Sequence, residues 1–285
     1  MLYVNSNNTL LPNNGRTIHT GNRAYLYGDG VFESIRIING KPINLENHIM
    51  RMLEGARKIK MRPPSFYSVE FFEKIINELI KESQLYSGGK CRISLDRLSG
   101  GTYCPESNEI EFFIEVYPID NNQYALNEKG IEIDIYTEFR KEKTPLSNFK
   151  TKNGLIYIMA SISAQENDLD DYLLTDTKGG ILEGTSSNLF IVSNGVLYTP
   201  GLESGCLAGT MRMQIINLAI KYGIKVYECN ILPQNLLAAD ELFLTNAIDG
   251  ITWVRGYRTK RYFNNVSKKL MNYLNQEWTN LPEKS

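Results

Sequence analysis

The first half of the chain begins with a strand pattern and continues with two helical stripes. Residues 31–38 form a β-branched, mostly apolar run that ends in Asn39-Gly40, a pair that favours a tight primed turn. Apolar residues then recur at helical spacing over residues 45–59, with Asn44 as the expected N-cap, and again over residues 69–85. The pattern therefore predicts one arm of a hairpin followed by two amphipathic helices.

The rest of the chain alternates between strands and helices. Its apolar runs predict strands at residues 92–95, 109–116, 131–136, 172–175, 189–192 and 241–244, and helices at 154–166, 210–222 and 266–278. Asn194-Gly195 predicts a second hairpin turn, and the polar stretch 118–129 is the expected linker. We predict an α+β fold of two mixed domains, residues 1–118 and 131–285 joined by residues 119–130, with a cleft between them.

Composition excludes several classes of partner. With 285 residues and 42% hydrophobic content, the chain can bury a sizeable core. Its 31 lysines and arginines balance 32 acidic residues, so no basic field favours nucleic acid or anionic lipid. The sequence does not open with a basic stretch and an apolar run, and no segment approaches the roughly 18 apolar residues that span a bilayer. We expect a small-molecule partner and a cytoplasmic location.

The sequence lacks the motifs for metal binding, nucleotide binding and serine hydrolysis. The four cysteines are far apart, and the two histidines add no metal-ligand spacing. Residues 28–33, GDGVFE, begin like a dinucleotide loop, but Glu33 stands where the third glycine belongs. There is also no Walker A lysine and no Gly-x-Ser-x-Gly elbow. No metal site is expected.

The densest motif lies in the second half of the chain. It consists of LEGTSSNLF at 182–190, LYTP at 197–200 and LAGTMR at 207–212. This set resembles the signature of the class IV aminotransferases, which include branched-chain aminotransferases, D-amino acid aminotransferases and aminodeoxychorismate lyases. Four further motifs follow the family order: YGDGVFE at 27–33, HIMR at 48–51, KTKN at 150–153 and ADELF at 239–243. The resemblance implies a fold-type IV enzyme that holds pyridoxal 5′-phosphate in the cleft between its domains.

The resemblance assigns the cofactor lysine to Lys150. Pyridoxal phosphate needs an amine for a Schiff base, an anion at its ring nitrogen, and cationic or amide donors for its phosphate. Lys143 and Lys152 are competitors, and Lys150 is preferred because Lys-x-x-Asn and its separation from Glu183 resemble the lyase and D-aminotransferase pattern. Once released by the incoming amine, Lys150 would carry the proton at the substrate α-carbon.

The same resemblance assigns the remaining cofactor contacts. Glu183 would accept a hydrogen bond from the protonated ring nitrogen, and Arg51 would bind the phosphate through its planar fork. Gly209 and Thr210 open a helix, where backbone amides and the helix dipole favour an anion. His48 is expected to be a packed or capping histidine. The other expected cofactor residues are Ser187, Asn188, Asn246 and Ala247.

The resemblance also places four residues on the substrate side of the site: Tyr27, Phe32, Arg92 and Tyr103. Arg92 and Tyr27 align with a substrate-side arginine and a pocket tyrosine of the branched-chain enzymes. Purely structural roles remain open, because Arg92 could pair with Asp96 or Glu115, and the tyrosines could be core or interface residues. The assignment of these four residues to a substrate pocket is therefore a separate hypothesis from the assignment of the cofactor residues.

Other positions separate this chain from individual members of the family. Met211 and Ala247 stand where transaminases commonly have hydroxyl residues, and with Asn246 they resemble aminodeoxychorismate lyase. Thr102, however, replaces the arginine that commonly follows the paired glycines of the lyase loop. Residues 100–104, GGTYC, lack the Arg-x-His carboxylate trap of typical D-amino acid aminotransferases. The motifs therefore point to two reactions of the family.

Transamination of a small, branched-chain amino acid onto 2-oxoglutarate is the reaction ranked first. Lysis of 4-amino-4-deoxychorismate to 4-aminobenzoate and pyruvate is the alternative, and it uses the same first steps. A third hypothesis is a pyridoxal phosphate-binding protein without catalysis, because Met211 and Ala247 remove two hydroxyls from the phosphate site. The resemblance implies a homodimer in which each active site borrows a loop from the partner.

Overall fold

The chain is divided into two compact units. The computed structural model describes residues 1–14 and 18–279, so residues 280–285 of the expected second domain lie outside the described part. The first unit comprises Met1–Gln123 with Phe149–Asn153, and the second comprises Tyr124–Asn148 with Gly154–Ser285. None of the helices in the described ranges is long and apolar enough to span a bilayer.

A six-stranded antiparallel sheet and two long helices form the first unit. The strands lie in the order β2-β1-β6-β5-β3-β4. The elements in chain order are β1 (Tyr3–Ser6), β2 (Thr9–Pro12), α1 (Arg23–Tyr27), β3 (Gly30–Ile38), β4 (Lys41–Pro42), α2 (Leu45–Lys58), α3 (Val69–Glu82), β5 (Gly88–Arg97) and β6 (Ile110–Pro118).

The pleat of β3 divides its side chains between two environments. Val31, Ile35 and Ile37 are buried in the core that the sheet forms with α2 and α3. Because alternate residues of a strand share a face, Glu33 lies on this helix-covered face and Phe32 lies on the opposite one. The strand therefore carries an acidic residue into the core and an aromatic ring onto the other side of the sheet.

The second unit is built on a nine-stranded sheet. Its main path is β12-β11-β10-β13-β14-β7-β8-β9, and β9 also pairs with β10, which closes the strands from β10 to β9 into a ring. The elements are β7 (Ile131–Ile135), α4 (Leu155–Glu166), β8 (Asp171–Thr175), β9 (Ile181–Glu183), β10 (Asn188–Ser193), β11 (Val196–Pro200), a 3₁₀ turn (Leu202–Ser204), α5 (Thr210–Lys221), β12 (Val226–Cys229), α6 (Pro233–Ala238), β13 (Glu241–Asn246), β14 (Gly250–Tyr257), β15 (Lys260–Arg261) and α7 (Asn265–Thr279).

The helices predicted from hydrophobic periodicity are confirmed to within about three residues at each end, but one predicted cap is wrong. Asn44 precedes α2 with a φ of 56°, in the left-handed region, and its side chain makes no capping hydrogen bond to the helix backbone. Its Oδ1 instead accepts a hydrogen bond from the side chain of Asn47. A left-handed residue cannot adopt the extended geometry of a side-chain cap, which is why Asn44 does not act as one.

Lys150 lies in a different structural unit from the one predicted from the sequence. We expected Lys150 in the second domain, but the segment Phe149–Asn153 belongs to the first unit. The reason is backbone pairing: Thr151 forms an antiparallel bridge with Val31, and Lys152 N donates to Gly30 O over 2.9 Å. The segment thus extends the sheet beside the first residues of β3.

Candidate active site

Lys150 lies on the strand-like segment beside β3. Phe32 N donates to Lys150 O over 3.0 Å, so the two residues are direct neighbours across the pairing. The Lys150 ammonium nitrogen lies 4.6 Å from the centroid of the Phe32 ring. The backbone pairing therefore fixes where the Lys150 side chain starts, and the aromatic ring lies against its reactive end.

The two competing lysines are placed differently from Lys150. Lys152 Nζ lies 2.5 Å from Asp96 Oδ1, and the Asp96 side chain is fully buried. Asn22 Nδ2 donates to the second oxygen of that carboxylate. Lys152 is thus committed to a buried ion pair, whereas Lys143 is exposed to solvent. This arrangement favours Lys150 among the three as the amine that reacts.

Arg51 is held in a buried cluster with Glu33 and His48. Arg51 Nε and one terminal nitrogen donate to the two Glu33 oxygens over 2.7 and 2.5 Å, and His48 Nδ1 lies 2.6 Å from Glu33 Oε2. Burial alone would raise the pKa of Glu33, but Arg51 and then His48 outweigh it and lower the pKa to about 2. Glu33 is therefore an anion at neutral pH that orients Arg51. His48 is packed, one of the two roles expected for it.

Glu183 lies at the end of β9 and is almost completely buried. Its Oε1 accepts hydrogen bonds from Lys141 Nζ over 2.6 Å and from Tyr157 OH over 2.9 Å, and its Oε2 accepts one from Leu207 N over 2.7 Å. These three donors fix the carboxylate in one orientation. A carboxylate offers about four acceptor positions, so this site can accept a further donor.

The backbone at the start of α5 packs closely against the side chain of Asn188. Gly209 is the residue before the helix, and a Cβ atom at this position would lie 1.9 Å from Asn188 Oδ1. Asn188 Nδ2 in turn donates to Leu207 O, which ties β10 to the turn that leads into the helix. A side chain here would force Asn188 to move, whereas glycine leaves the amides of the first helical turn, beginning with Thr210, at an N-terminus that favours an anion.

A second turn in the same unit carries Asn246 and Ala247. Asn246 Nδ2 donates to Ser187 Oγ over 3.1 Å, and its Oδ1 accepts from the backbone amides of Ile248 and Asp249. Ala247 O accepts from Tyr124 OH over 3.1 Å. Five of the expected cofactor residues are thus held in place by hydrogen bonds or steric fit within one unit, namely Ser187, Asn188, Gly209, Asn246 and Ala247.

The residues expected on the substrate side all belong to the first unit. Arg92 Cζ lies 4.0 Å from the centroid of the Phe32 ring, the same ring that Lys150 contacts. Burial lowers the pKa of Arg92, and Glu115 opposes this shift from the neighbouring strand. None of the ion pairs found among the described residues joins Arg92 to Asp96 or Glu115, so Phe32 is its close contact.

Tyr27 and Tyr103 line a cavity of about 250 Å³ in the first unit. Their ring centroids are 5.7 Å apart. Arg23, which sequence reasoning missed, holds the loop of Tyr103, because its NH1 donates to Gly100 O over 2.8 Å and to Thr102 O over 2.7 Å. The Thr102 carbonyl therefore accepts a hydrogen bond from the Arg23 guanidinium. The lyases commonly have an arginine side chain at the position of Thr102.

The expected site residues are distributed over both units. The first contains Lys150, Arg51, Tyr27, Phe32, Arg92 and Tyr103, and the second contains Glu183, Ser187, Asn188, Gly209, Thr210, Asn246 and Ala247. Sequence reasoning missed Glu33, Lys141 and Tyr157. Glu33 could have been found, because a charged residue on the buried face of an apolar strand requires a partner. Lys141 lies in the charged run RKEK at 140–143, which is indistinguishable from a solvated surface stretch.

Comparison with known proteins identifies the family. The model of the class IV amino-transferase family matches residues 30–257, which is most of the chain. This chain belongs to the class IV aminotransferase family. It is therefore an enzyme with the fold-type IV architecture.

Relatives of this class IV enzyme catalyse different reactions. A putative branched-chain-amino-acid aminotransferase of Methanocaldococcus jannaschii is 33% identical over 77% of this chain and 75% of the relative. A D-alanine aminotransferase of Listeria innocua is 28% identical over 95% and 94% of the two chains, and an aminodeoxychorismate lyase of Vibrio harveyi is 24% identical over 83% and 86%. These relatives therefore carry the names of three different activities within one family.

Solved structures agree with the fold of the class IV enzymes. The branched-chain aminotransferase of Thermoproteus uzoniensis, solved with norvaline, has a TM-score of 0.87 and 26% identity over 95% of this chain and 93% of that one. A putative 4-amino-4-deoxychorismate lyase from Legionella pneumophila has a TM-score of 0.84 at 25% identity, covering 93% and 97% of the two chains. The fold therefore accommodates both candidate reactions.

The donor set of the class IV enzyme fits pyridoxal phosphate. Lys150 offers an amine, Glu183 a buried and oriented carboxylate for a ring nitrogen, and Arg51 a guanidinium that is itself oriented by Glu33. Gly209, where a Cβ atom would collide with Asn188 Oδ1, precedes a 12-residue helix whose first backbone amides favour an anion. Each chemical group of the cofactor therefore has a residue suited to it.

Replacing Arg51 by alanine should weaken cofactor binding. The phosphate contact expected of Arg51 is charge-assisted, and loss of such a contact costs about 1.5–3 kcal/mol, or roughly a 10- to 150-fold rise in the cofactor dissociation constant. Fluorescence titration of the apoprotein measures this constant, and Arg57→Ala, an exposed arginine on the same helix, is the matched control. An unchanged affinity in Arg51→Ala would restrict Arg51 to its structural role beside Glu33.

Proposed function

We propose that this enzyme transfers the amino group of a small, branched-chain L-amino acid to 2-oxoglutarate with pyridoxal phosphate as cofactor. One observation carries the proposal: a single aromatic ring, Phe32, is contacted by the Lys150 ammonium at 4.6 Å and by the Arg92 guanidinium at 4.0 Å. An amine, a cation for a substrate carboxylate and an apolar wall are thus gathered on one face of the sheet.

The residues have separate roles in this proposal. Bound pyridoxal phosphate supplies the aldehyde that takes up the amino group and the ring that withdraws electrons from the substrate α-carbon. Lys150 would hold the cofactor through its side-chain amine and, once free, would remove and return the proton at the substrate α-carbon. Glu183 would accept the hydrogen bond of the ring nitrogen. Arg51 and the backbone amides at the start of α5 each offer a donor suited to the phosphate. Arg92 pairs with the α-carboxylate, and Phe32 packs against the substrate side chain.

The reaction is tested with the substrates themselves. Leucine, isoleucine and valine should each convert the bound cofactor to its amine form, and 2-oxoglutarate should restore it and give glutamate. Arg92→Ala should raise KM for the amino acid by roughly 10- to 100-fold, because a charge-assisted hydrogen bond is lost. Lys90→Ala, two residues earlier on the same strand and exposed, is the matched control. The cofactor spectrum and glutamate formation are the measurements.

Lysis of aminodeoxychorismate is the second candidate function. Met211 and the Asn246-Ala247 pair favour it, because these residues resemble the lyase. The lyase needs no keto acid acceptor, so formation of 4-aminobenzoate without 2-oxoglutarate, combined with an unchanged spectrum in the presence of leucine, isoleucine and valine, would overturn transamination. Conversion of D-alanine but not of L-amino acids would assign the enzyme to the D-aminotransferases.

We also propose that the enzyme is a homodimer. Helix α4 exposes a stripe of large apolar side chains at helical spacing, namely Leu155, Ile158, Met159 and Ile162, with exposed fractions of 42–76%. A stripe of this kind is commonly covered by a second protein surface, and the family resemblance implies a second copy. Light scattering should give twice the chain mass of 32.5 kDa. A single-chain mass would contradict the proposal.

A further inference from the structure

Lys141 is the charged donor among the three groups that donate hydrogen bonds to Glu183, and none of the roles assigned above explains why a lysine lies there. Its backbone is fixed at the end of β8, because Lys141 N donates to Thr175 O over 2.8 Å. Its ammonium nitrogen lies 2.6 Å from Glu183 Oε1 and 3.5 Å from Ser147 O. The side chain is only 11% exposed, so water screens this ion pair weakly.

The Lys141 ammonium is not placed to be the cofactor lysine. If Glu183 binds the ring nitrogen, the aldehyde carbon lies on the opposite side of the ring from that nitrogen. A lysine whose ammonium contacts Glu183 therefore lies at the wrong end of the ring to react with the aldehyde. Its contribution to the reaction must be electrostatic.

The two donors on Glu183 Oε1 differ in charge. Burial, followed by the negative charge of Glu183, raises the pKa of Tyr157 far above its ordinary value, so Tyr157 donates as a neutral phenol. Leu207 N, on the other oxygen, is a neutral backbone amide. Lys141 therefore brings a positive charge to a carboxylate whose other two hydrogen-bond donors are neutral.

We propose that Lys141 is a positioning residue that keeps Glu183 a carboxylate and thereby keeps the shared proton on the cofactor ring nitrogen. The argument rests on the proposed role of Glu183. A ring nitrogen and a carboxylate that share one proton form a coupled pair, and a cation beside the carboxylate favours the form in which the carboxylate is ionised. The proton then resides on nitrogen, where it makes the ring a stronger electron sink. Without the cation, the proton moves toward the oxygen.

The experiment is ¹⁵N NMR of the holoenzyme reconstituted with pyridoxal phosphate labelled at the ring nitrogen. Wild-type enzyme should show the chemical shift of a protonated pyridine. Lys141→Met should move the resonance toward that of unprotonated pyridine, and Lys141→Gln, which retains a neutral donor for Oε1, should move it in the same direction. Lys141→Arg should restore the wild-type shift because it restores the charge.

Three further variants make the result decisive. Tyr157→Phe removes a neutral donor from the same oxygen and should move the resonance less than Lys141→Gln. Lys143→Met, an exposed lysine two residues away, should leave it unchanged. If Glu183→Gln moves the resonance but both neutral Lys141 variants keep the wild-type shift, the inference about Lys141 is overturned. If Glu183→Gln also leaves it unchanged, the proposed role of Glu183 itself fails.

Discussion

Lys150→Ala should lose at least about 10³-fold in kcat for transamination, the largest effect expected of any single substitution in this enzyme. The variant lacks both the amine that condenses with the cofactor aldehyde and the base that moves the α-proton, and a positioned general base alone contributes about 10²–10⁴-fold. Steady-state formation of glutamate from 2-oxoglutarate measures the loss.

The matched control for this prediction is Lys143→Ala, which removes an exposed lysine of the same stretch and should retain wild-type kcat. The substitution leaves intact the backbone pairing that holds this segment to β3, so thermal unfolding of the cofactor-free protein should change little. Transamination at near wild-type rate in Lys150→Ala would show that another lysine holds the cofactor.

Glu183→Gln should lower kcat by about 10²–10³-fold. Removing one preorganised electrostatic contact to a charge that develops in the transition state typically has an effect of this size. Glutamine has nearly the same shape but cannot stabilise a protonated ring nitrogen as an anion does, and it leaves the Lys141 ammonium buried without its carboxylate.

The effect of Glu183→Gln on the reaction must be separated from its effect on the fold. Cofactor-saturated kcat at a temperature well below the unfolding transition isolates the chemical step, and Glu166→Gln, exposed at the end of α4, is the control for the substitution type. A kcat within a few-fold of wild type would mean that Glu183 does not bind the ring nitrogen.

Local sequence patterns predicted the five long helices and seven of the fifteen strands of the described residues, but not the remaining strands or every boundary. Helices α2 and α3 are amphipathic over their whole length, so periodicity alone located them. Asn44 illustrates the limit: asparagine favours both a helix cap and the left-handed region, and the turn after β4 required the second. Propensity alone does not distinguish these two uses of the same residue.

Candidate site residues could be proposed from the sequence where motifs contain them, but not where only long-range contacts bring residues together. Glu183 and Gly209 were identified because they lie in dense motifs. Lys141 was missed because its partner lies 42 residues away and its own neighbours form an ordinary charged run. The assignment of Lys150 to the second domain failed for a related reason: its segment pairs with β3, over a hundred residues earlier, and only the fold brings these backbones together.

Reduction of the holoenzyme with borohydride, followed by peptide mapping, tests the central claim most directly. Reduction converts the lysine linkage of the cofactor to a stable bond, so mass spectrometry can locate it on one residue. We expect a single phosphopyridoxyl adduct, on Lys150, in the peptide that contains KTKN at 150–153. An adduct on Lys141, Lys143 or Lys152, or a protein that binds the cofactor without forming any adduct, would contradict this account.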